Sequence, residues 1–276
     1  MPNLILMNKN VASRASLSAT PVAPGMAAAA MLNDTKSHVC RAVGTDIEIV
    51  LTWDVAERIG GAHFPWCNGS PSTTIEVLGY SDKAGTSKVL DTGVRLACPA
   101  RSRELLPPWT PVSAASAYAW GGGAHACAWF TNTSVKRLVI RLKDPGNLQG
   151  YLELGRIFVG EAFTPDENAS YDPARTPVSN SESFYTDAGD RRSVKGTKRW
   201  RLSIELGSMT ERDRSFICDL QVANDLDGPC IIDLYPGDSS AERSRDHRMY
   251  GPLVQTAAMR RPNFAQHATT LEWESM

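Results

Sequence analysis

Four carboxylates, Glu161, Asp166, Glu167 and Asp172, crowd one short stretch of the chain. A pair of carboxylates is what glycoside hydrolysis needs, one as general acid and one as nucleophile or base. Here they sit among Pro, Asn and Thr in "EAFTPDENASYDP", where Asp beside Pro or Asn usually serves turn geometry. The same oxygens raise a calcium site, but the stretch lacks the regular ligand spacing of a calcium loop. The histidines, His38, His63, His125, His247 and His267, are scattered with no common spacing. The cysteines, Cys40, Cys67, Cys98, Cys127, Cys218 and Cys230, occur singly, with no CxxC pair and no histidine at metal-ligand spacing. Several lie in apolar runs such as "HACAWF" and "PCIIDL", where a free thiol is a small buried hydrophobe. The glycine run "WGGGAH", residues 120 to 125, lacks the Lys-Ser/Thr of a phosphate loop, and no GxSxG, HExxH or GxGxxG context is present. No catalytic, cofactor or metal residue is therefore assigned, and the chain is expected not to be an enzyme.

Binding is the chemistry that remains. Trp66, Trp109, Trp120 and Trp129 fall in or near loops of the N-terminal half, and an exposed indole face can stack on a sugar ring. Of these, Trp66, Trp109 and Trp120 are the candidate glycan contacts, and Trp129 in "CAWF" reads as core together with Trp53. The run "GDRRSVKGTKRWR", residues 189 to 201, is the densest positive charge in the chain. Its Arg191, Arg192, Lys195, Lys198 and Arg199 are candidate contacts with a partner subunit, against the plainer reading of a solvated face.

Composition bounds these readings. With 276 residues, 42% hydrophobic and 21% charged, the chain has the profile of a globular protein large enough for two domains. Lys plus Arg (29) and Asp plus Glu (30) nearly cancel, so no overall field exists to hold nucleic acid. No run reaches the roughly 18 apolar residues of a membrane helix. The N-terminal "MPNLILMNKNVAS" has no positive region before its short apolar stretch, so no signal peptide is read there, and the sequons at Asn68, Asn132 and Asn168 are given no role.

The elements that must carry these residues are mostly strands. "TDIEIVLTW" places Ile47, Ile49, Leu51 and Trp53 on one face. "STTIEVLGYSDKAGTSKVLDTG" gives a strand with Ile75 and Val77 and a turn around Lys83 to Thr86. "VKRLVIRLKDPGNLQGYLELGRIFVG" reads as two apolar runs joined by turn formers, an antiparallel hairpin or a close relative. In its second run Leu152 and Leu154 share one parity and Ile157 and Val159 the other, so Gly155 marks a bulge. Such punctuation, with almost no helical periodicity before residue 165, predicts a jelly-roll β-sandwich over residues 1 to 165. Residues 166 to 195 read as an irregular connecting arm. Residues 196 to 276 read as an α+β domain with an antiparallel sheet and one helix. Trp200, Leu202, Ile204 and Leu206 make its first strand, Thr210 with Asp213 caps the helix that carries Phe216, Ile217 and Leu220, and "CIIDLYP", "MYGPLVQTAAMRR" and "HATTLEWES" supply further strands.

These stretches carry a resemblance. "TDIEIVLTWDVAERIGGAHFPWCN", "STTIEVLGYSDKAGTSKVLDTG" and "RLVIRLKDPGNLQGYLELGRIFVGEAFTP" resemble the discoidin or galactose-binding-like domain found in tail proteins of tailed bacteriophages. "GYLELGRIFVGEAFTPDENASYD" resembles the closing strand and exit of that group. "DRRSVKGTKRWRLSIELGSMTERDRSFICDL", "CIIDLYPGD", "YGPLVQ" and "LEWES" follow the order of its minor or distal tail proteins of siphophage type. The resemblance implies a structural virion protein, assembled in the host bacterial cytoplasm and ending in the tail. It would join the tail tube to the receptor-binding apparatus as a homo-oligomeric ring, with tail tube, tail hub and tail fibre as partners and no cofactor. The competing class is a module that recognises a cell-surface glycan.

Overall fold

In the computed structural model, residues 4–111, 115–117, 123–170, 173–238, 240–262 and 266–276 are described. The strands of the N-terminal part are β1 (Ile5–Met7), β2 (Ser16–Thr20), β3 (Cys40–Arg41), β4 (Asp46–Cys67), β5 (Thr74–Tyr80), β6 (Lys88–Asp91), β7 (Arg95–Leu96), β8 (Ala124–Lys143), β9 (Glu153–Leu154) and β10 (Phe158–Gly160). There follow β11 (Ala174–Ser179), β12 (Glu182–Tyr185), β13 (Arg191–Val194), β14 (Lys198–Met209), helix α1 (Glu211–Asn224), β15 (Cys230–Asp233), helix α2 (Ala241–Asp246), β16 (Arg248–Gly251) and β17 (His267–Glu274). The protein is mainly β, a β-sandwich with a smaller α+β portion. Two compact units divide the chain: Met1–Phe163 with Asp233–Arg248, and Thr164–Ile232 with Met249–Met276.

The first unit is organised by two long strands. β4 and β8 pair antiparallel from Asp46↔Lys143 to Cys67↔Ala124, with register shifts between Thr52 and Glu57, Ile59 and Gly61, and Pro65 and Cys67. Shifts of this kind let a long ribbon bend. Its first half is flanked by β2 on β4 and by β5 on β8, and its second half by β10 and β9 on β4. One core takes Ile47, Ile49, Leu51 and Trp53 from the first half of β4 and Ile59, Ala62 and Phe64 from the second, all 2% exposed or less. Alternation dictates this, because successive side chains of a strand point to opposite faces.

The expected hairpin of "RLVIRLKDPGNLQGYLELG" does not form. Both edges of β8 are already occupied, one by β4 and the other by β5, so the second apolar run crosses to the far edge of β4 instead. The turn between the runs is held from another direction: Asp144, fully buried, accepts from the backbone N–H and hydroxyl of Ser70 and from the hydroxyl of Ser72. Gly155 does break the strand, between β9 and β10. Its N–H donates to the Trp66 carbonyl at 3.1 Å, and a Cβ there would stand 3.0 Å from the same oxygen. The turn after β5 forms as read, with Asp82 accepting from the N–H of Thr86 and Ser87.

In the second unit, β14 lies between β11 and β17, and Leu202, Ile204 and Leu206 face inward with Thr269, Leu271 and Trp273. Helix α1 opens with the expected capping box, in which Thr210 and Asp213 satisfy each other's backbone N–H. Ile217 and Leu220 point into the core. Residues 166 to 195, read as irregular, instead contain three strands. β11 runs back along β14, and β12 and β13 continue the same ribbon beyond it. Short polar strands with a proline at position 177 lack the alternation that reveals a half-buried strand. Pro177 is tolerated because β11 is an edge strand. Residues 233–248, read as part of the C-terminal domain, cluster with the first unit, and Ser240 caps α2, a helix too short to show a period.

Candidate interaction sites

The ribbon formed by β12 and β13 is a hairpin whose tip closes through Thr186 N–H to the Asp190 carbonyl at 2.9 Å, with Gly189 at φ +83°. Its base closes through Asn180 N–H to the Thr197 carbonyl at 3.1 Å. Between these points every residue of both strands is exposed. Residues directly opposite in an antiparallel pair share a face. One face therefore carries Phe184 opposite Arg192 and Glu182 opposite Val194, and the other carries Tyr185 opposite Arg191. Phe184, Tyr185 and Val194 stand 52%, 71% and 59% exposed. A two-stranded ribbon with no packed face is marginal on its own.

All five basic candidates are exposed, but they are not equivalent. Arg199 donates to Glu274 at 3.0 Å, across the β14–β17 edge that Arg201 also bridges, so it belongs to the sheet of its own unit. Arg192 stands 3.8 Å from Asp190. Arg191, Lys195 and Lys198 make no ion pair among the described residues.

The tryptophan candidates do not converge. Trp109 is 83% exposed at the tip of a loop that Arg103 ties to the Thr110 and Pro108 carbonyls. Trp66 sits at φ +62° beside a cleft of about 250 Å³, and the Lys36 ammonium lies 5.3 Å over its ring. That face carries a cation, so a sugar would have to displace Lys36. Trp120 lies outside the described residues, as does Asp172 among the carboxylates. Of the other carboxylates, Glu161 pairs with Arg58 at 2.9 Å. Asp166 accepts from Thr210 and Arg212, each at 2.9 Å, and so anchors the start of α1. Glu167 is exposed.

The first unit has a larger hollow that the sequence reading missed. A cavity of about 730 Å³ is bounded by Arg95 to Ala100, by Cys127 to Thr131 of β8 and by residues of the 236–248 segment. Trp129, read as core, is instead half-buried in its wall beside Phe130. Its indole N–H donates to Asp233 at 2.9 Å, and Asp233 also accepts from Arg248 at 2.9 Å in a fully buried ion pair. His63 meets Trp129 edge-on at 4.3 Å and shares a 3.1 Å hydrogen bond with His125. Burial, reinforced by His125 and Arg248, holds His63 well below its ordinary pKa, and burial with Arg248 does the same for His125. Both imidazoles are thus neutral at pH 7, and the cluster fixes the Trp129 ring from behind. Arg95 and Asp238 also line it, Arg95 donating to the Trp129 and Thr92 carbonyls and Asp238 pairing with Arg243 at 3.2 Å. Cys98, also in the wall, has its sulfur 3.9 Å from that of Cys67. Among the described residues no group of three or more His, Cys, Asp or Glu is placed to hold a metal ion. What the hollow offers is an aromatic wall with paired charged groups in its lining, the composition of a small-molecule site. The missed signal was parity. Ala124, Ala126 and Ala128 share the core face of β8, and alternation puts Trp129 on the other face.

No protein-family model matches the chain, and no curated protein matches it. Solved structures similar to part of it include chitosan-binding module 1 of a chitosanase/glucanase from Paenibacillus sp. IK-5. That module is 14% identical, covers 55% of this chain and 98% of its own, and has a TM-score of 0.36. The carbohydrate-binding module CBM32 of AlyQ is 16% identical over 52% of this chain and 92% of its own, at 0.35. A GH29 fucosidase of Ruminococcus gnavus is 12% identical over 56% of this chain and 27% of its own, at 0.39.

Proposed function

We propose that the chain is a non-catalytic structural subunit that assembles with other proteins through the β12–β13 arm. In its finer form, the reading is of a tail-tip component of a tailed bacteriophage, joining the tail tube to the receptor-binding apparatus. The observation that carries the assembly reading is the arm itself: a ribbon exposed on both faces that presents Phe184, Tyr185 and Val194 beside Arg191 and Arg192. Exposing aromatic and aliphatic surface on a protruding hairpin is costly in water unless a partner covers it. Aromatics with arginine are also the residue types enriched at the centres of protein interfaces. The bacteriophage identity is supported by the resemblance of the sequence and by nothing in the arm's chemistry. Light scattering of the full chain, alone and with candidate tail-tube and tail-hub proteins, tests it. Oligomers or co-complexes that are lost in Phe184→Ser/Tyr185→Ser support the reading. A chain that stays monomeric and ignores those partners overturns it.

A second reading is favoured by a separate observation, the cavity of the first unit. There the Trp129 ring is fixed by Asp233 and His63 in a wall that also contains Phe130. On this reading the first unit binds a saccharide. A glycan array supports it if a specific signal disappears in Trp129→Ala and survives Trp109→Ala. A signal that ignores Trp129, or no signal, excludes it.

A further inference from the structure

The six cysteines are scattered in sequence, and folding brings two of them together. Cys67 ends β4 and Cys98 follows β7, 31 residues later, yet their sulfurs stand 3.9 Å apart in a buried site of the first unit. Theirs is the one contact between cysteine sulfurs among the described residues. Backbone bonds fix both ends of it. Cys67 is paired with Ala124 of β8 and with Leu154 of β9. Beside Cys98, the Ala97 carbonyl accepts from the Cys127 N–H at 3.1 Å and the Ala97 N–H donates to the Thr73 carbonyl at 2.8 Å. Gly69 lies against both thiols, and a Cβ there would stand 2.6 Å from the Cys98 sulfur and 3.4 Å from the Cys67 sulfur. Its missing side chain leaves the room that the two sulfurs share.

The hydrogen bonds give the two thiols different parts. The Cys67 S–H faces the Ala124 carbonyl at 3.4 Å, which leaves the Cys98 S–H to donate to the Cys67 sulfur. That bond, against the burial that opposes it and with help from the Gly69 and Ala126 N–H groups, favours the Cys67 thiolate and holds its pKa below the ordinary thiol value. The same contact, with burial, pushes Cys98 well above that value. Burial alone pushes Cys40 up to about 11, and it is the main cause that takes Cys127 to about 11 and Cys230 to about 12. The thiolate is the reactive form, so Cys67 is the buried thiol set to react first. Each of the two also reaches an opening: Cys67 lines a cleft of about 240 Å³ and Cys98 the hollow of about 730 Å³. A molecule the size of water needs only about 30 Å³.

We propose that Cys67 and Cys98 are a reversible redox pair, kept as two thiols in a reducing compartment and joined as a disulfide by hydrogen peroxide. The Cys67 sulfur attacks one peroxide oxygen, so that an S–O bond forms and the O–O bond breaks. The hydroxide released takes up the proton that Cys67 lost and leaves as water. Cys98 then attacks the Cys67 sulfur, the S–S bond forms, the S–O bond breaks, and the second hydroxide leaves as water with the Cys98 proton. Two thiols give up two electrons, and one peroxide receives them. The bond draws the sulfurs in from 3.9 Å to about 2 Å. It ties Cys98, in the wall of the hollow, to the end of β4.

The test uses the full chain, reduced, freed of reductant and treated with hydrogen peroxide while folded. Free thiols are then counted and blocked in urea, and linked peptides are mapped with and without dithiothreitol. Wild type is expected to lose two of its six free thiols, with the Cys67 peptide joined to the Cys98 peptide and both recovered in dithiothreitol. Cys98→Ser is expected to stop at a Cys67 sulfenic acid that dimedone captures, and Cys67→Ser to leave Cys98 unoxidised. The linked chain is expected to unfold at higher urea than the reduced one, because the bond restrains the unfolded chain across 31 residues. Should a serine variant fail to fold by circular dichroism, the wild-type map and the urea comparison decide alone. Six thiols retained at a peroxide concentration that oxidises a short cysteine peptide overturn the proposal. Linkage of a different pair, or a bond that forms only in urea, overturns it too. A linked chain that unfolds at lower urea than the reduced one also overturns it, since the bond would then be forced on the fold instead of completing it.

Discussion

Two antiparallel ribbons in this protein obey the same pleat and register rules and end in opposite states. In the β4–β8 ribbon, Ile47, Ile49, Leu51 and Trp53 of β4 and Leu138, Ile140 and Leu142 of β8 are buried to 2% or less, neighbouring strands flank both edges, and even the turn beyond β8 is anchored through Asp144. In the β12–β13 ribbon, every residue is exposed and no further strand pairs with it among the described residues. The first half of β4 has Ile, Leu and Trp at every second position, and the β12–β13 ribbon mixes Phe, Tyr and Val with Arg, Ser and Glu. Pairing fixes the geometry of a ribbon, and burial decides whether it is part of a core. Energy stored in the first ribbon therefore reads out as stability, and in the second as association.

Substitutions that attack the first ribbon should have the largest effects on folding. Trp53 is 2% exposed, and its indole N–H donates to the Val11 carbonyl at 2.9 Å. Trp53→Ala is expected to cost about 3–5 kcal/mol in urea unfolding, the range for emptying a core aromatic site. Asp144→Ala comes next, because it strips the acceptor from the Ser70 N–H and hydroxyl and from the Ser72 hydroxyl. About 2–3 kcal/mol is expected, as those groups lose their partner in a buried site. A loss below about 1 kcal/mol would mean that water replaces the carboxylate, and that the turn is less sealed than its burial implies.

The contrast also explains what was legible. Ile47 to Trp53 and Trp200 to Leu206 alternate cleanly and became strands, with Ile47, Ile49, Leu51, Trp53, Leu202, Ile204 and Leu206 buried and Trp200 half-buried under Arg175. Thr210 with Asp213 became a capping box, and Asp82 became the acceptor of its turn. Pairing partners were not legible. The run after "KDPGNLQG" looked like the return strand of a hairpin, and nothing local says that β5 has already taken the free edge of β8. The strands at 174 to 194 hid because a strand that buries nothing shows no period. The candidate sites divided in the same way. The basic run was visible as charge, whereas the Trp129 cavity is built from residues 95 to 100, 127 to 131 and 236 to 248, distant in sequence.

Acidification should separate the units. His63 and His125 are buried in the first unit with pKa values held well below 6.5, so the unfolded chain takes up protons before the folded one does. Stability from these two groups is therefore intact above about pH 6.5 and falls as the pH drops below it, the unfolded value of histidine. A His63→Gln/His125→Gln variant should lose that part of the slope in unfolding midpoints measured between pH 7 and 5. A slope unchanged in the variant would mean that the buried pair does not set it. In the second unit Thr210→Ala removes the hydroxyl that caps α1 and should cost about 1 kcal/mol at any pH in that range.

The smallest stability effect belongs to the arm, and there the comparison is most exposed to refutation. Phe184→Ser should change the unfolding free energy of the monomer by no more than about 0.5 kcal/mol, the range for surface positions without a buried partner. Phe184 is 52% exposed opposite Arg192, so its removal opens no cavity and strands no polar group. The same substitution should nevertheless remove self-association if a neighbouring copy covers that ring. Stability and association move together for any residue whose main role is to hold its own unit, because loss of fold removes the surface as well. They separate only where a side chain waits for a partner. A Phe184→Ser chain that unfolds much more readily than wild type would therefore place the arm with the β4–β8 ribbon as an element of the fold, and the distinction between the two ribbons would be lost.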